Sequence, residues 1–308
     1  DTIDKKETYL HYTFNSSILD WNANISDAVV TDFNKDGTLD LIVVGEWMKP
    51  IFFANNKGKF KNVTESLSPG NNNGLWQSIA AFDIDQDGDQ DYVVGNWGMN
   101  SKFKSSKEFP MKMYYDDFDT NGTFETIVAI EKNGNYYPTL GLDELVEEFS
   151  GMLKKKFNNY KSFAGKKVDE IFDPALLEKA ALFEVHNLKS GYLRNDKGKF
   201  TFVPFSNKMQ VSPITSFVQS DFDGDGKTEV FAAGNYFGVT PYHSRFDGFS
   251  GALIKNDKTI YLGNQMGIDL SQKAVRHLDI ILLNGKKYLL VTINNKKAEV
   301  YELPMNKN

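Results

Sequence analysis

The chain has 308 residues, 41% of them hydrophobic, no cysteine and a formal net charge of −6, the make-up of a folded protein with room for one large domain or two ordinary ones. The missing cysteine excludes disulfides, zinc–thiolate sites and a cysteine nucleophile, and the acidic balance argues against a nucleic-acid binder. No apolar run approaches the roughly 20 residues of a membrane span, and the start at Asp1 without a charged-then-apolar leader reads as processed or cut from a longer protein.

In chain order, the first informative phrase is "VVTDFNKDGTLDLIVVGEW" at 29–47: an apolar strand, an acidic loop with glycine, and a second apolar strand. A second phrase, "FFANNKGKFKNV" at 52–63, places an Asn-Lys-Gly turn between two strand-like runs, a hairpin signal. The acidic phrase recurs as "AAFDIDQDGDQDYVVGNWG" at 80–98, "YYDDFDTNGTFETIVAI" at 114–130 and "VQSDFDGDGKTEVFAAGNYFG" at 218–238. The hairpin phrase recurs as "YLRNDKGKFTFV" at 192–203 and, more weakly, as "LIKNDKTIYL" at 253–262.

Each unit therefore predicts four antiparallel strands, and such units repeated along a chain predict an all-β fold, a β-propeller whose blades bury their faces against one another. The 51 residues from Asp32 to Asp83 fit one blade, whereas the 34 from Asp83 to Asp117 are too few. The Asp117 loop then lies either in the outer half of the second blade or in a trimmed blade of its own. The 104 residues from Asp117 to Asp221 are too many, and the excess includes "LDELVEEFSGMLKKKFNNY", with apolar residues at a helical period, and "DPALLEKAALFEV", with Asp173 and Pro174 placed as N-cap and first helical residue. A helical insertion is expected at about 139–182, within a single propeller domain spanning 1–308. The tail, 275–303, has strand spacing and an Asn284-Gly285 turn but no acidic row.

Carboxylates on alternate residues repel one another unless a cation holds them. Calcium takes six to eight oxygen ligands, and an acidic loop with glycine at its sharp turn wraps it; magnesium demands a stricter octahedron and keeps its waters. The nonamer 83–91 assigns side-chain ligands to Asp83, Asp85, Asp87 and Asp91 and a backbone carbonyl to Asp89. The same roles fall to Asp32, Asn34, Asp36, Thr38 and Asp40; to Asp117, Asp119, Asn121, Thr123 and Glu125; and to Asp221, Asp223, Asp225, Lys227 and Glu229. Three or four calcium ions are expected. The competing explanation is that Asp, Asn and Gly are simply good turn formers. All-oxygen sites of this kind suit millimolar calcium, which favours an extracytoplasmic location.

These D-x-[DN]-x-[DN]-G-x-x-[DE] loops between strands resemble the FG-GAP or VCBS repeats of integrin α-subunit propellers and of many secreted bacterial proteins. The longer phrases, "DFNKDGTLDLIVVGEWMKPIFFANNKGKFKNVTESL", "WQSIAAFDIDQDGDQDYVVGNWGMNSKFK", "DELVEEFSGMLKKKFNNYKSFAGKKVDEIF" and "SDFDGDGKTEVFAAGNYFGV", resemble the C-terminal propeller half of large bacterial VCBS-repeat proteins that often also carry an ASPIC/UnbV domain. The resemblance runs from about 27 to 303 and lacks the further acidic-loop blades that such proteins usually have upstream. It implies an exported or surface protein, in some cases associated with outer-membrane nutrient uptake.

Parallel wording after the second strand of three units, "GEWM", "GNWG" and "GNYF", would place Trp47, Trp97 and Tyr236 on one face of a propeller. They form either an aromatic rim for a glycan or a partner protein, or wedges between blades. The long loops 96–110 and 234–251, the latter with Phe237, Tyr242, His243, Arg245 and Asp247, are the expected contact elements. With four histidines and no HExxH, GxSxG or phosphate-cradling glycine loop, His243 reads as a loop hydrogen-bonding residue rather than a general base. The leading expectation is a non-enzymatic binding or scaffold module with an envelope protein as partner; the alternative is a carbohydrate-binding or polysaccharide-degrading propeller. Lys154, Lys155 and Lys156 read as the solvated face of a helix.

Overall fold

The computed structural model describes residues 24–240, 243 and 245–304. In the first blade β1 (Asn24–Thr31), β2 (Asp40–Met48), β3 (Ile51–Asn56) and β4 (Lys59–Asn62) pair antiparallel in chain order. A short helix, α1 (Thr64–Leu67), and the two-residue strand β5 (Gly74–Leu75), which pairs with β2, lead out of it. The acidic loop joins β1 to β2 and the Asn-Lys-Gly turn joins β3 to β4, as the two phrases anticipate.

The second blade is interrupted. Its inner half is β6 (Ser78–Ala81) and β7 (Tyr92–Gly95), after which the chain departs to build a separate sheet from β8 (Met111–Asp116), β9 (Glu125–Lys132) and β10 (Asn135–Pro138). Helices α2 (Leu142–Glu148), α3 (Ser150–Lys156), α4 (Tyr160–Phe163), α5 (Val168–Ile171) and α6 (Pro174–Lys179) follow, and β11 (Ala181–Val185) closes the sheet against β8. Only then does the chain return as β12 (Gly191–Asp196), pairing with β7, and β13 (Lys199–Pro204). The Asp117 loop thus belongs to a sheet of its own inserted inside the second blade, and "YLRNDKGKFTFV" is that blade's outer hairpin.

The third blade is regular: β14 (Ile214–Ser220), β15 (Glu229–Gly234), β16 (Ala252–Ile254) and β17 (Ile260–Leu262). The tail supplies β18 (Val275–Leu283), β19 (Lys286–Ile293) and β20 (Glu299–Glu302), a three-stranded last blade with no acidic loop.

The core lies between blades, which is why the second strands are apolar runs rather than alternating ones. β7 and β15 are buried along their whole length. Phe33, Ile42, Val44 and Phe52 of the first blade pack on Ile79, Tyr92, Val94 and Phe200 of the second. Ile84, Val93 and Tyr192 meet Val230, Ala252 and Ile254 of the third, and Phe222, Phe231 and Leu253 meet Leu278, Leu289 and Val291 of the fourth. Polar stitches cross the same seams: Ile79 N–H donates to Asp27 Oδ2 at 2.9 Å, Ser78 Oγ to the Ile214 carbonyl at 2.9 Å, and Leu278 N–H to Ser216 Oγ at 3.0 Å. At the second seam a Cβ on Gly95 would stand 2.0 Å from the Ile214 carbonyl oxygen, so only glycine lets the blades approach there.

The inserted unit has its own core, in which Phe118, Ile127 and Ala129 meet Leu142, Leu145, Phe149, Leu153, Phe157 and Phe172. The helical period of 142–157 is right, but the helix is not continuous: Phe149 leaves helical geometry at φ −115°, ψ 40° while staying fully buried, and divides α2 from α3. Asp173 caps α6 as expected, accepting from the Ala175 N–H at 2.9 Å with Pro174 in the first turn. Lys154 and Lys155 are exposed, as a solvated face should be, while Lys156 also donates to the Ile171 carbonyl at 3.0 Å.

Candidate metal centres

The four acidic nonamers share one backbone form. In each, the first aspartate accepts from the glycine N–H at the sixth position: Asp32 from Gly37 (2.9 Å), Asp83 from Gly88 (3.0 Å), Asp117 from Gly122 (2.9 Å) and Asp221 from Gly226 (3.0 Å). The fifth side chain accepts from the seventh N–H: Asp36 from Thr38, Asp87 from Asp89, Asn121 from Thr123 and Asp225 from Lys227, all at 2.7–2.9 Å. The sixth-position glycines have φ between 83° and 91°. The fourth positions are left-handed too, yet carry Lys35 (φ 58°), Gln86 (63°), Thr120 (59°) and Gly224 (75°). Three non-glycine residues in that region indicate a turn held in shape by its side-chain acceptors.

Turn formation accounts for the first and fifth acids. At the third position Asn34 and Asp119 also take a turn N–H, from Asp36 at 2.9 Å and from Asn121 at 3.2 Å, but turn formation does not explain why the third and ninth acids of three loops converge on one point. Asp83, Asp85 and Asp91 bring carboxylate oxygens within 4.8 Å of one another, as do Asp117, Asp119 and Glu125, and Asp221, Asp223, Asp225 and Glu229. In the second loop, Asp83 Oδ1 and Asp85 Oδ1 are buried with no hydrogen-bond partner. An unpartnered buried carboxylate oxygen is costly, and a cation is what removes the cost. The donor set therefore fits a hard, oxygen-seeking ion: Asp83, Asp85 and Asp91 in the second loop and Asp117, Asp119 and Glu125 in the third.

The ninth-position acids are the anchors of this arrangement. Asp91 is fully buried and accepts from the Ile84 N–H at 3.1 Å and the Asn195 N–H at 2.7 Å, the latter from the outer hairpin. Asp40 accepts from the Asn55 N–H at 2.8 Å in the same way. Glu125 and Glu229 accept from Phe118 and Phe222 at 3.1 and 2.9 Å. Burial pushes Asp91 up to about 6 and raises Asp40, Glu125 and Glu229 above the usual carboxylate range. Backbone donors counter that rise only in part, so these acids are short of positive charge.

One expected ligand group does not gather, and another gathers around a lysine. Among the described residues the first loop does not gather Asp32, Asp36 and Asp40 into such a group; Asp36 Oδ2 instead takes the Asn34 amide at 2.9 Å. In the fourth loop a lysine ammonium already stands among the acids, Lys255 Nζ lying 2.7 Å from Asp223 Oδ2 and 2.8 Å from Asp225 Oδ2. Asp89 offers its side chain to Lys35 of the first loop at 2.6 Å, which leaves its carbonyl for the assigned role.

The aromatic positions converge, but on one another. Trp97 packs edge-on or tilted, at 5.3–5.6 Å between ring centroids, against Phe103, Tyr236 and Phe246, and both Trp47 and Trp97 lie on the cluster of Leu75, Met111, Val185 and Leu188. All three of Trp47, Trp97 and Tyr236 are half-buried. Phe237 carries the Arg245 guanidinium 4.4 Å above its ring, and Arg245 Nε lies 3.5 Å from Asp247. His243 Nε2 is 3.0 Å from the Thr139 carbonyl, tying the 234–251 loop to the start of the helical insertion, and burial lowers its pKa. Tyr242 lies outside the described residues.

Two residues that carry the loop architecture escape the sequence reading. Asn96 and Asn235, each fully buried just after the second strand, hold the departing chain. Asn96 accepts from the Leu75 N–H and donates to the Asn187 carbonyl at 2.9 Å; Asn235 accepts from the Phe249 N–H and donates to the Phe249 carbonyl at 2.8 Å. The shared "GN" of "GNWG" and "GNYF" is the signal that could have found them.

Residues 16–94 match the family model of the FG-GAP-like repeat, a span that includes the first two acidic loops. This segment is an FG-GAP-type repeat, a kind of repeat that points to a protein-interaction or adhesion-type module, and the antiparallel sheets described above form an all-β fold of propeller-like blades. No curated protein matches the chain. No helix among the described residues is long and apolar enough to cross a membrane.

Proposed function

We propose that the chain is a non-enzymatic, calcium-stiffened propeller that acts as a protein-binding or scaffold module at the bacterial cell envelope, outside the cytoplasm. The observation that carries this reading is the convergence of three acids in each of two loops, Asp83, Asp85 and Asp91 and Asp117, Asp119 and Glu125, with unpartnered buried oxygens in the first of them. An ion bound there would join the two inner strands of a sheet and, through Asp91 and Asn195, the outer hairpin as well. At free calcium a hundredfold above the dissociation constant, each site contributes about 2.7 kcal/mol to the folded state. Two such sites are a large share of a typical stability of ~5–15 kcal/mol.

The residues around His243 do not support chemistry: its Nε2 is engaged by a carbonyl, and Arg245 is spent on Phe237 and Asp247. The carbohydrate alternative loses its aromatic platform, since Trp97 and Tyr236 face each other and their neighbours. What remains for a partner is the long loops 96–110 and 234–251 and the outer side of the helical insertion. The test is crosslinking of the parent protein in its own cells in calcium-containing buffer, followed by mass spectrometry. A stoichiometric envelope protein crosslinked through these segments supports the scaffold reading; its absence, with binding to a polysaccharide panel instead, contradicts it.

A further inference from the structure

The fourth loop differs from the first and second in what stands opposite its closing acid. The register that pairs Val230 with Ile254 places the next residue, Lys255, across from Glu229. The same step places Ala54 across from Asp40 and Arg194 across from Asp91. Ala54 has no charge and Arg194 is exposed, whereas Lys255 turns inward. Its ammonium lies 2.7 Å from Asp223, 2.8 Å from Asp225 and 3.5 Å from Glu229, with 18% of the lysine side chain and 1% of the Glu229 side chain exposed. An ammonium is a compact point charge with three donors, so three surrounding carboxylates can satisfy it. A divalent ion cannot share the site at these distances, because two cations so close repel.

We propose that Lys255 is the resident cation of the fourth loop: the loop keeps its form without a divalent ion, and calcium enters only by displacing the ammonium. The first half stands on geometry alone; the second rests on the calcium reading above. Lys255 is then what sets the fourth loop apart from the second and third in its demand for metal.

The test uses the whole chain as wild type, Lys255→Met and the double variant Lys255→Met/Glu229→Gln. In excess EGTA, Lys255→Met leaves the buried acids uncompensated and lowers the melting temperature by roughly 4 °C or more, and adding Glu229→Gln recovers at least half of that loss. In equilibrium dialysis against calcium, Lys255→Met holds one more ion per chain than wild type, or binds its weakest ion at least about tenfold more tightly. An unchanged melt in EGTA overturns the resident-cation role, and equal ion count and affinity in both chains overturns the displacement. If neither chain binds calcium at any loop, the calcium reading and the displacement fall together, while the melts in EGTA still decide what Lys255 does.

Discussion

The second and fourth acidic loops have the same backbone form, the same aspartates at positions one, three and five, and a buried acid at position nine. They part most clearly opposite that acid: the second loop faces an exposed Arg194, while the fourth faces Lys255, whose ammonium lies 2.7 Å from Asp223, 2.8 Å from Asp225 and 3.5 Å from Glu229. A buried carboxylate oxygen without a hydrogen bond occurs in both, Asp83 Oδ1 and Asp85 Oδ1 in the second and Glu229 Oε1 in the fourth. The nonamer therefore gathers carboxylates, and under the proposals above the neighbouring strand decides which cation they take. A motif of nine residues is legible in a sequence; the residue opposite it, some twenty to a hundred positions away, is legible only once the register is known.

The largest expected effect separates the second and third loops, which need an ion, from the fourth, which does not. Excess EGTA should lower the melting temperature by well over ten degrees, through the second and third loops; a melt that does not move would abolish the distinction. Next comes Asp91→Ala, which removes the acceptor of two buried N–H groups as well as a ligand. It should cost about 3 kcal/mol even in EGTA and remove one bound ion in calcium, whereas Asp221→Asn should leave the ion count of the wild-type chain unchanged.

The pH dependence sharpens the same contrast. Burial pushes Asp91 up to about 6 and raises Glu125, so between the unfolded carboxylate value of about 4 and pH 6 the metal-free folded chain binds more protons than the unfolded one. Its stability from these groups is then greatest on the acid side and is lost as pH rises through 6. Calcium needs the deprotonated acids and works in the opposite sense. The gap between melting temperatures in calcium and in EGTA should therefore widen from pH 5 to pH 7; a constant gap would mean that these acids do not hold the ion. The smallest effect is at Lys35, whose ion pair to Asp89 is open to water; Lys35→Met should leave the melt essentially where it is, most of all at high salt.

Much of the blade architecture could be read directly, because strands packed on both faces are continuous apolar runs and the two kinds of turn alternate between them. The placement of the Asp117 loop could not, because it depends on β7 pairing with β12 across the whole insertion, Val94 against Gly191, and nothing local announces so distant a partner. The break at Phe149 was hidden for a different reason: the residue keeps its buried place in the helical period while its backbone leaves the helix. At the candidate sites the acids were evident, but Asn96 and Asn235 look like ordinary turn residues, and Lys255 looks like a surface lysine in a hairpin. Trp97 and Tyr236 do meet, but the rings that cover Trp97, Phe103 and Phe246, come from the long loops and carry no signal of that packing in the sequence.

The most direct test of the account is the number of calcium ions bound per chain, measured by equilibrium dialysis and elemental analysis on wild type and on a variant carrying Asp85→Asn and Asp119→Asn. The account predicts at least two tightly held ions in wild type and two fewer in the variant. A wild-type chain that holds none, or a variant that holds as many, would contradict it.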